Sequence, residues 1–301
     1  MTQRALFLAG LLAAAAASQD VPAFRSNVEL VTIPCTVVDA HGAPVEGLTR
    51  EDFRVTDNGV RRVIEHLWID TDQPVTLGVI LDASESQQGQ FAEHRETALK
   101  LAGRLLRPGD RAFAIQVAED VRLWPDLAGT AAGELFGQPC PKQQSNVPGL
   151  RAVSVCGSSP LWNALYDAAR LKLLPLTGSK ALLILTDGFD TGSTHTWRQA
   201  ADEAHKAEAT VYAIQYPSAF GGSYAPDLYR LVAETGGASF HAPEGDYGPI
   251  ISRIETDLRR RYVLGFRPEK LSGKERHEVE VEVTRADLTV RARKVYFEAP
   301  Q

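Results

Sequence analysis

The sequence predicts an α/β fold: a doubly wound, mostly parallel sheet of Rossmann-like type, inserted in a small β-sandwich-like domain made from both chain ends. Three observations predict it. Between residues 74 and 258 apolar runs alternate with helical periodicities, the pattern of parallel strands covered by helices on both faces. Over residues 277–285 the period becomes two, with Val279, Val281 and Val283 alternating with Glu278, Glu280 and Glu282, which marks an antiparallel strand with one wet face. Neither flank has enough such strands for a stable sheet of its own, whereas the two together do.

Taken in order, residues 1–18 read as a secretory signal. Arg4 precedes an apolar run from Ala5 to Ala17, and small residues lie ahead of Gln19, the arrangement that signal cleavage requires. The run is too short to span a bilayer, and no later segment is apolar for long enough, so an exported protein without a membrane span is expected, secreted or periplasmic. Residues 24–70 form the first part of the β domain: a strand over 28–38, the turn segment DAHGAPVEGL, and strands over 53–56 and 60–68 joined through Asp57-Asn58-Gly59. Asn-Gly is a strong hairpin signal.

The inserted domain, residues 74–258, opens with the strand VTLGVIL. A helix follows over 91–106, with Ala98, Leu101, Ala102 and Leu105 on one side, and Pro108-Gly109 stops it. Then come the strand DRAFAIQVA, a short edge strand over 121–124, a helix over 161–173, the central strand ALLILT, a helix over 196–208 and a strand over 210–215. A last helix over 248–261 runs into YVLGF with no Gly, Pro or Ser linker. Residues 260–299 complete the β domain. A turn near Ala286-Asp287 would set Glu282 opposite Arg291 and Glu280 opposite Arg293 as cross-strand charge pairs.

With 301 residues, 44% of them apolar, the chain has material for a substantial core. A net charge of −6, from 32 basic and 38 acidic residues, leaves no electrostatic footprint for nucleic acid or anionic lipid. Three cysteines are an odd number for an exported chain. Cys140 and Cys156 flank PKQQSNVPGLRAVSV, and a disulfide between them would restrain the loop that follows by about 3 kcal/mol. Cys35, within VELVTIPCTVV, reads as a buried strand thiol, and no pair has the spacing of a zinc site.

Three distant segments carry the chemistry. Asp82-Ala-Ser84-Glu-Ser86 ends the first parallel strand, Gly157-Ser158-Ser159 precedes a helix, and Thr186-Asp187-Gly188 ends the central strand. Doubly wound sheets gather ligand sites where the carboxyl ends of strands meet the following helices. Asp82, Ser84, Ser86, Ser159 and Asp187 then supply only hard oxygen ligands, which suit a divalent cation: Mg²⁺ first, with Mn²⁺ and Ca²⁺ as alternatives. Two carboxylates roughly cancel the ion's charge and leave it able to take one more carboxylate from outside.

On these residues the chain resembles the von Willebrand factor A family, whose metal-ion-dependent adhesion site reads Asp-x-Ser-x-Ser, then Thr, then Asp. Ser159 stands where the family has threonine, in Gly157-Ser158-Ser159-Pro160-Leu161-Trp162-Asn163-Ala164 against the usual Gly-Gly-Thr-x-Leu-Tyr-Asp-Ala. Glu85 is the larger departure, a carboxylate where a small residue is common. Leu228, Leu231, Ala233 and Thr235-Gly236-Gly237 followed by Phe240 look like the family's last helix and edge strand. The two flanks resemble those of bacterial proteins described as related to von Willebrand factor A domains. The resemblance implies the adhesion-site cation and a protein partner that presents an Asp or Glu carboxylate.

No Gly-x-Ser-x-Gly elbow, His-Glu-x-x-His helix or phosphate-binding Gly-x-x-x-x-Gly-Lys loop occurs. Leu174-Pro-Leu-Thr-Gly178 reads as a helix end and turn, and His94, His195 and His205 read as surface residues of helices or helix starts. Asp190 is either a group behind the ligands or a plain loop carboxylate. The expectation is an exported, non-enzymatic binding protein; the alternative is a structural scaffold of the cell envelope in which the metal site is unused.

Overall fold

A computed structural model of the chain describes residues 30–71, 73–87, 89–118, 121–124, 142–143, 153–154, 158–219, 221, 225–268 and 276–298. Cys140 and Cys156, and with them the expected disulfide, lie outside the described residues. In chain order the strands and helices are β1 (Val31–Val38), β2 (Phe53–Asp57), β3 (Val60–Arg62), β4 (Ile64–Asp70), β5 (Val75–Asp82), α1 (Phe91–Leu105), β6 (Arg111–Val117), β7 (Val121–Trp124), β8 (Lys142–Gln143), β9 (Val153–Ser154) and α2 (Leu161–Asp167). There follow β10 (Ser179–Thr186), α3 (Trp197–Lys206), β11 (Ala209–Gln215), α4 (Pro226–Glu234), β12 (Ser239–His241), α5 (Gly248–Arg259), β13 (Arg261–Phe266), β14 (Arg276–Val283), β15 (Thr289–Ala292) and β16 (Val295–Phe297).

The central sheet has the order β12-β11-β10-β5-β6-β7. Its first five strands are parallel, and β7 closes the edge antiparallel to β6. Every residue of β5 and β10 is buried, as expected of strands covered on both faces. Alternation sorts their side chains into two cores. Ile80, Leu182 and Ile184 meet α2, α3 and α4 through Leu161, Leu165, Ala200, Ala204 and Leu228. Val79, Leu81, Leu183 and Leu185 meet α1 and α5 through Leu101, Leu105, Ile251 and Ile254. A helix on each face of one sheet is the doubly wound arrangement that the alternating periods predict.

Local signals set the helix ends. Thr196 caps α3 reciprocally with Gln199, a box worth about 1 kcal/mol. The helix predicted over 161–173 is α2 followed by a wider-wound turn over Ala168–Leu173, and Leu174 to Gly178 form the turn into β10. Arg260 alone separates α5 from β13. Arg259 anchors that junction through Asp110 and the Leu105 carbonyl.

Both flanks build the remaining layers. One antiparallel sheet runs β15-β1-β13-β4 and the other β16-β14-β2-β3. Ile33, Phe53, Val55, Leu264, Phe266, Val279 and Val281 fill the core between them, and Cys35 is a free, buried thiol within β1. Asn58 and Gly59 turn the β2–β3 hairpin with φ of 50° and 79°, as the Asn-Gly signal predicts.

Two expectations in this region are corrected. The single strand expected over 60–68 divides at Val63, which is 80% exposed: β3 pairs with β2 in one sheet and β4 with β13 in the other. The chain changes sheets at that corner. Likewise β14 and β15 do not pair as a hairpin, because β14 joins β2 and β16 while β15 joins β1. Arg291 and Arg293 therefore do not face Glu282 and Glu280. Arg291 binds Asp257 of α5 and Arg293 binds Glu208 beside β11, since β15 lies against the parallel-sheet layer.

Candidate metal centre

β5 and β10 are hydrogen-bonded neighbours, so the residues ending each strand emerge side by side. Asp82 and Asp187 are 0% and 1% exposed. The Ser84 amide donates to Asp82 Oδ1 at 3.0 Å, and Thr186 Oγ1 donates to Asp82 Oδ2 at 2.6 Å. Asp187 Oδ1 accepts the Phe189 amide at 3.1 Å, and Gln87 Nε2 donates to Asp187 Oδ2 at 3.0 Å. Gly188 holds the sharp exit from β10 at φ of 85°, and a Cβ there would lie 2.3 Å from the Ala225 side chain. That position admits only glycine.

The third segment is brought in by backbone pairing. Ser159 and Thr191 exchange both N–H···O bonds at 2.9 Å, and Asp190 Oδ1 accepts the Trp162 amide at 3.1 Å and the Ser193 hydroxyl at 2.5 Å. Asp190 thus ties the loop after Asp187 to the start of α2, which answers the alternative left open for it: it positions the Ser159 segment. Asn163 adds to the clamp by accepting from the Thr194 and His195 amides at 3.0 Å.

Ser84 Oγ and Ser86 Oγ lie 3.1 Å apart, close to the edge of about 3 Å that an octahedron with Mg²⁺–oxygen bonds of about 2.1 Å requires. Ser159 is 3% exposed, and its hydroxyl has no partner among the described residues. A buried hydroxyl with nothing to bond is destabilising by about 1–3 kcal/mol, and a cation would relieve it. Electrostatics point the same way. Burial, against the hydrogen bonds from Ser84 and Thr186 and aided by the Asp187 charge, pushes the Asp82 carboxyl up to about 6. The oxygen-only donor set therefore fits a hard divalent cation.

Three residues that support the site were not singled out for it from the sequence. Thr186 bridges Asp82 and the Gly188 amide. Gln87 is fully buried and spans Asp187 and the Pro217 carbonyl. His94, expected at a helix surface, is also fully buried; Nδ1 lies 3.2 Å from the Asp82 carbonyl and the ring is 3.9 Å from that of Tyr216. Burial holds its pKa down to about 4, so the neutral ring donates to that carbonyl. His205 is likewise corrected, at 2% exposed. Both lie on buried helix faces, and His94 falls one turn from Ala98, in the apolar stripe; that spacing was the available signal. His195 stays half-exposed, stacked 3.8 Å from Tyr166.

No family model matches the chain, and no curated protein matches it in sequence. Among solved structures it is similar to proximal thread matrix protein 1 from the mussel byssus, with 12% identity and a TM-score of 0.47 over 76% of this chain and 50% of that one. It is also similar to an aerotolerance-related membrane protein from Bacteroides fragilis, with 14% identity and a TM-score of 0.40 over 61% of this chain and 98% of that one. Human Sec24c of the COPII coat gives 11% identity and a TM-score of 0.36 over 75% and 44%. The chain spans about half the length of the mussel protein. Among the described residues no helix is long and apolar enough to cross a membrane.

Proposed function

We propose that this is an exported, non-enzymatic binding protein of von Willebrand factor A type, which holds a divalent cation, Mg²⁺ first, and uses it to capture an Asp or Glu carboxylate on a protein partner. The observations that carry the reading are two buried carboxylates at the ends of neighbouring strands, the Ser84 and Ser86 hydroxyls 3.1 Å apart beside Asp82, and a buried Ser159 hydroxyl with no partner among the described residues. Asp82, Ser84, Ser86, Ser159 and Asp187 would hold the ion. When bound, it supplies a positive centre with a coordination position left for an outside oxygen.

The chain's own residues do the rest. Thr186 and the Ser84 amide orient the Asp82 carboxylate, and Gln87 and the Phe189 amide orient that of Asp187. His94 secures the backbone of the first segment from below. These contacts fix the donors before any partner arrives, which lowers the ordering cost of binding.

Calorimetric titration of the EDTA-stripped chain with Mg²⁺, Mn²⁺ and Ca²⁺ tests the reading. One saturable site is expected, lost in Asp82→Ala while the circular dichroism spectrum is unchanged. An acidic peptide should bind only in the presence of the ion. A chain that takes up no divalent ion would favour the envelope scaffold instead.

A further inference from the structure

At the end of the parallel sheet opposite the metal centre, the antiparallel layers meet β11 and α5 across a polar crevice. Arg261, Arg291 and Arg293 line it together with His205, Glu208 and Asp257. Arg261 and Arg293 are 7% and 8% exposed. Their cationic neighbourhood is undercompensated. Arg253 and Lys180 lie in the same cluster, and the carboxylates that answer these five cations among the described residues are Asp257, Glu208, Asp70 and, toward Arg253, Asp39, which leaves one positive charge in excess.

The hydrogen bonds have the same deficit. Asp257 spends both oxygens on Arg291 Nη2 at 2.8 Å. Arg293 reaches Glu208 at 3.0 Å and the Thr32 carbonyl at 2.6 Å, and Arg261 reaches Ser179 Oγ at 2.6 Å. Arg261 Nε, Arg291 Nε and Nη1, and Arg293 Nε remain buried with no partner among the described residues, as do both ring nitrogens of His205. Buried guanidinium N–H groups that lack an acceptor are strongly unfavourable, and their planar fork matches an oxyanion.

We propose that this crevice is a binding site for one small oxyanion of the phosphate or sulfate class, held by Arg261, Arg291 and Arg293 and linking the antiparallel layers to the parallel-sheet layer. Arg291 and Arg293 come from the β15 segment and Arg261 opens β13, while Glu208 and Asp257 belong to the parallel-sheet side. The ligand therefore bears on the junction as well as on the local charge. The crevice is narrow, with a cavity volume of ≈ 20 Å³, which excludes a nucleotide. The site is independent of the metal centre.

The test uses the whole chain in EDTA, so that no divalent ion contributes. Inorganic phosphate and sulfate are titrated against chloride at matched ionic strength, with heat of binding and thermal midpoint as readouts. The expected result is one saturable site and a rising midpoint for the oxyanions alone. Arg291→Lys keeps the charge and loses the fork, and should weaken phosphate about tenfold while Mg²⁺ uptake by the same variant, measured separately, is unchanged. Crystals grown with selenate should show an anomalous peak between Arg291 and Arg293. An equal response to chloride, no saturation in the unmodified chain, or a peak elsewhere overturns the proposal, and the unmodified chain suffices should the variant fail to fold.

Discussion

Replacing Asp82 by Asn should stabilise the metal-free protein and remove its response to Mg²⁺. The carboxyl is fully buried, and its pKa rises from 3.8 to about 6, first through burial. Because the folded-state value is above the unfolded one, the carboxyl's penalty is absent below pH 3.8, grows as the pH rises through 6 and is complete near neutrality. A difference of about two pH units corresponds to about 3 kcal/mol. Asn keeps an oxygen for the Ser84 amide, while its NH₂ faces Thr186 Oγ1, whose hydroxyl must turn away; that gives back about 1 kcal/mol. The net gain of about 2 kcal/mol is a rise of roughly 3 °C in melting temperature for a chain of this size.

Scanning calorimetry in EDTA near neutral pH measures the gain. A repeat near pH 4 should find it largely gone, because the unfolded carboxyl then nears the same protonation as the folded one. With Mg²⁺ at a hundredfold excess over Kd the order reverses, since the unmodified chain gains about 2.7 kcal/mol from binding and the variant does not. A variant that is less stable in EDTA, or a gain undiminished near pH 4, would refute the claim that Asp82 is a buried charge awaiting a cation.

Ser159→Ala should raise metal-free stability by about 1 kcal/mol, by removing a buried hydroxyl with no partner among the described residues, and should weaken Mg²⁺ less than Asp82→Asn does; chemical denaturation and calorimetry read the two effects. His205 carries a pKa lowered from 6.5 to about 3, first by burial and then by Arg293 and Arg276. The unfolded chain thus binds its proton more readily, and stability should fall by about 1.4 kcal/mol per pH unit as pH drops from 6.5 toward 3. Subtracting the urea profile of His205→Gln isolates this term from the opposite one at Asp82, and parallel profiles would exclude it.

The sequence by itself determined most of the elements and picked out the candidate oxygen ligands. Unbroken apolar runs such as VTLGVIL and ALLIL can only be strands buried on both faces, and loops leaving the carboxyl ends of neighbouring parallel strands must converge, which is why Asp82 and Asp187 could be paired without coordinates. Local chemistry also sufficed for the Asn58-Gly59 turn. What the tertiary structure decided is which sheet each β segment joins and which polar side chains are buried. The alternation in β14 says that one face is wet, but it is blind to the partner strand, so the Glu282–Arg291 pairing failed and the arginines were found against α5 and β11. His94, His205 and Gln87 have the composition of surface residues. Their burial follows from where α1 and α3 pack, and packing is a property of the assembled layers, not of any local stretch of chain.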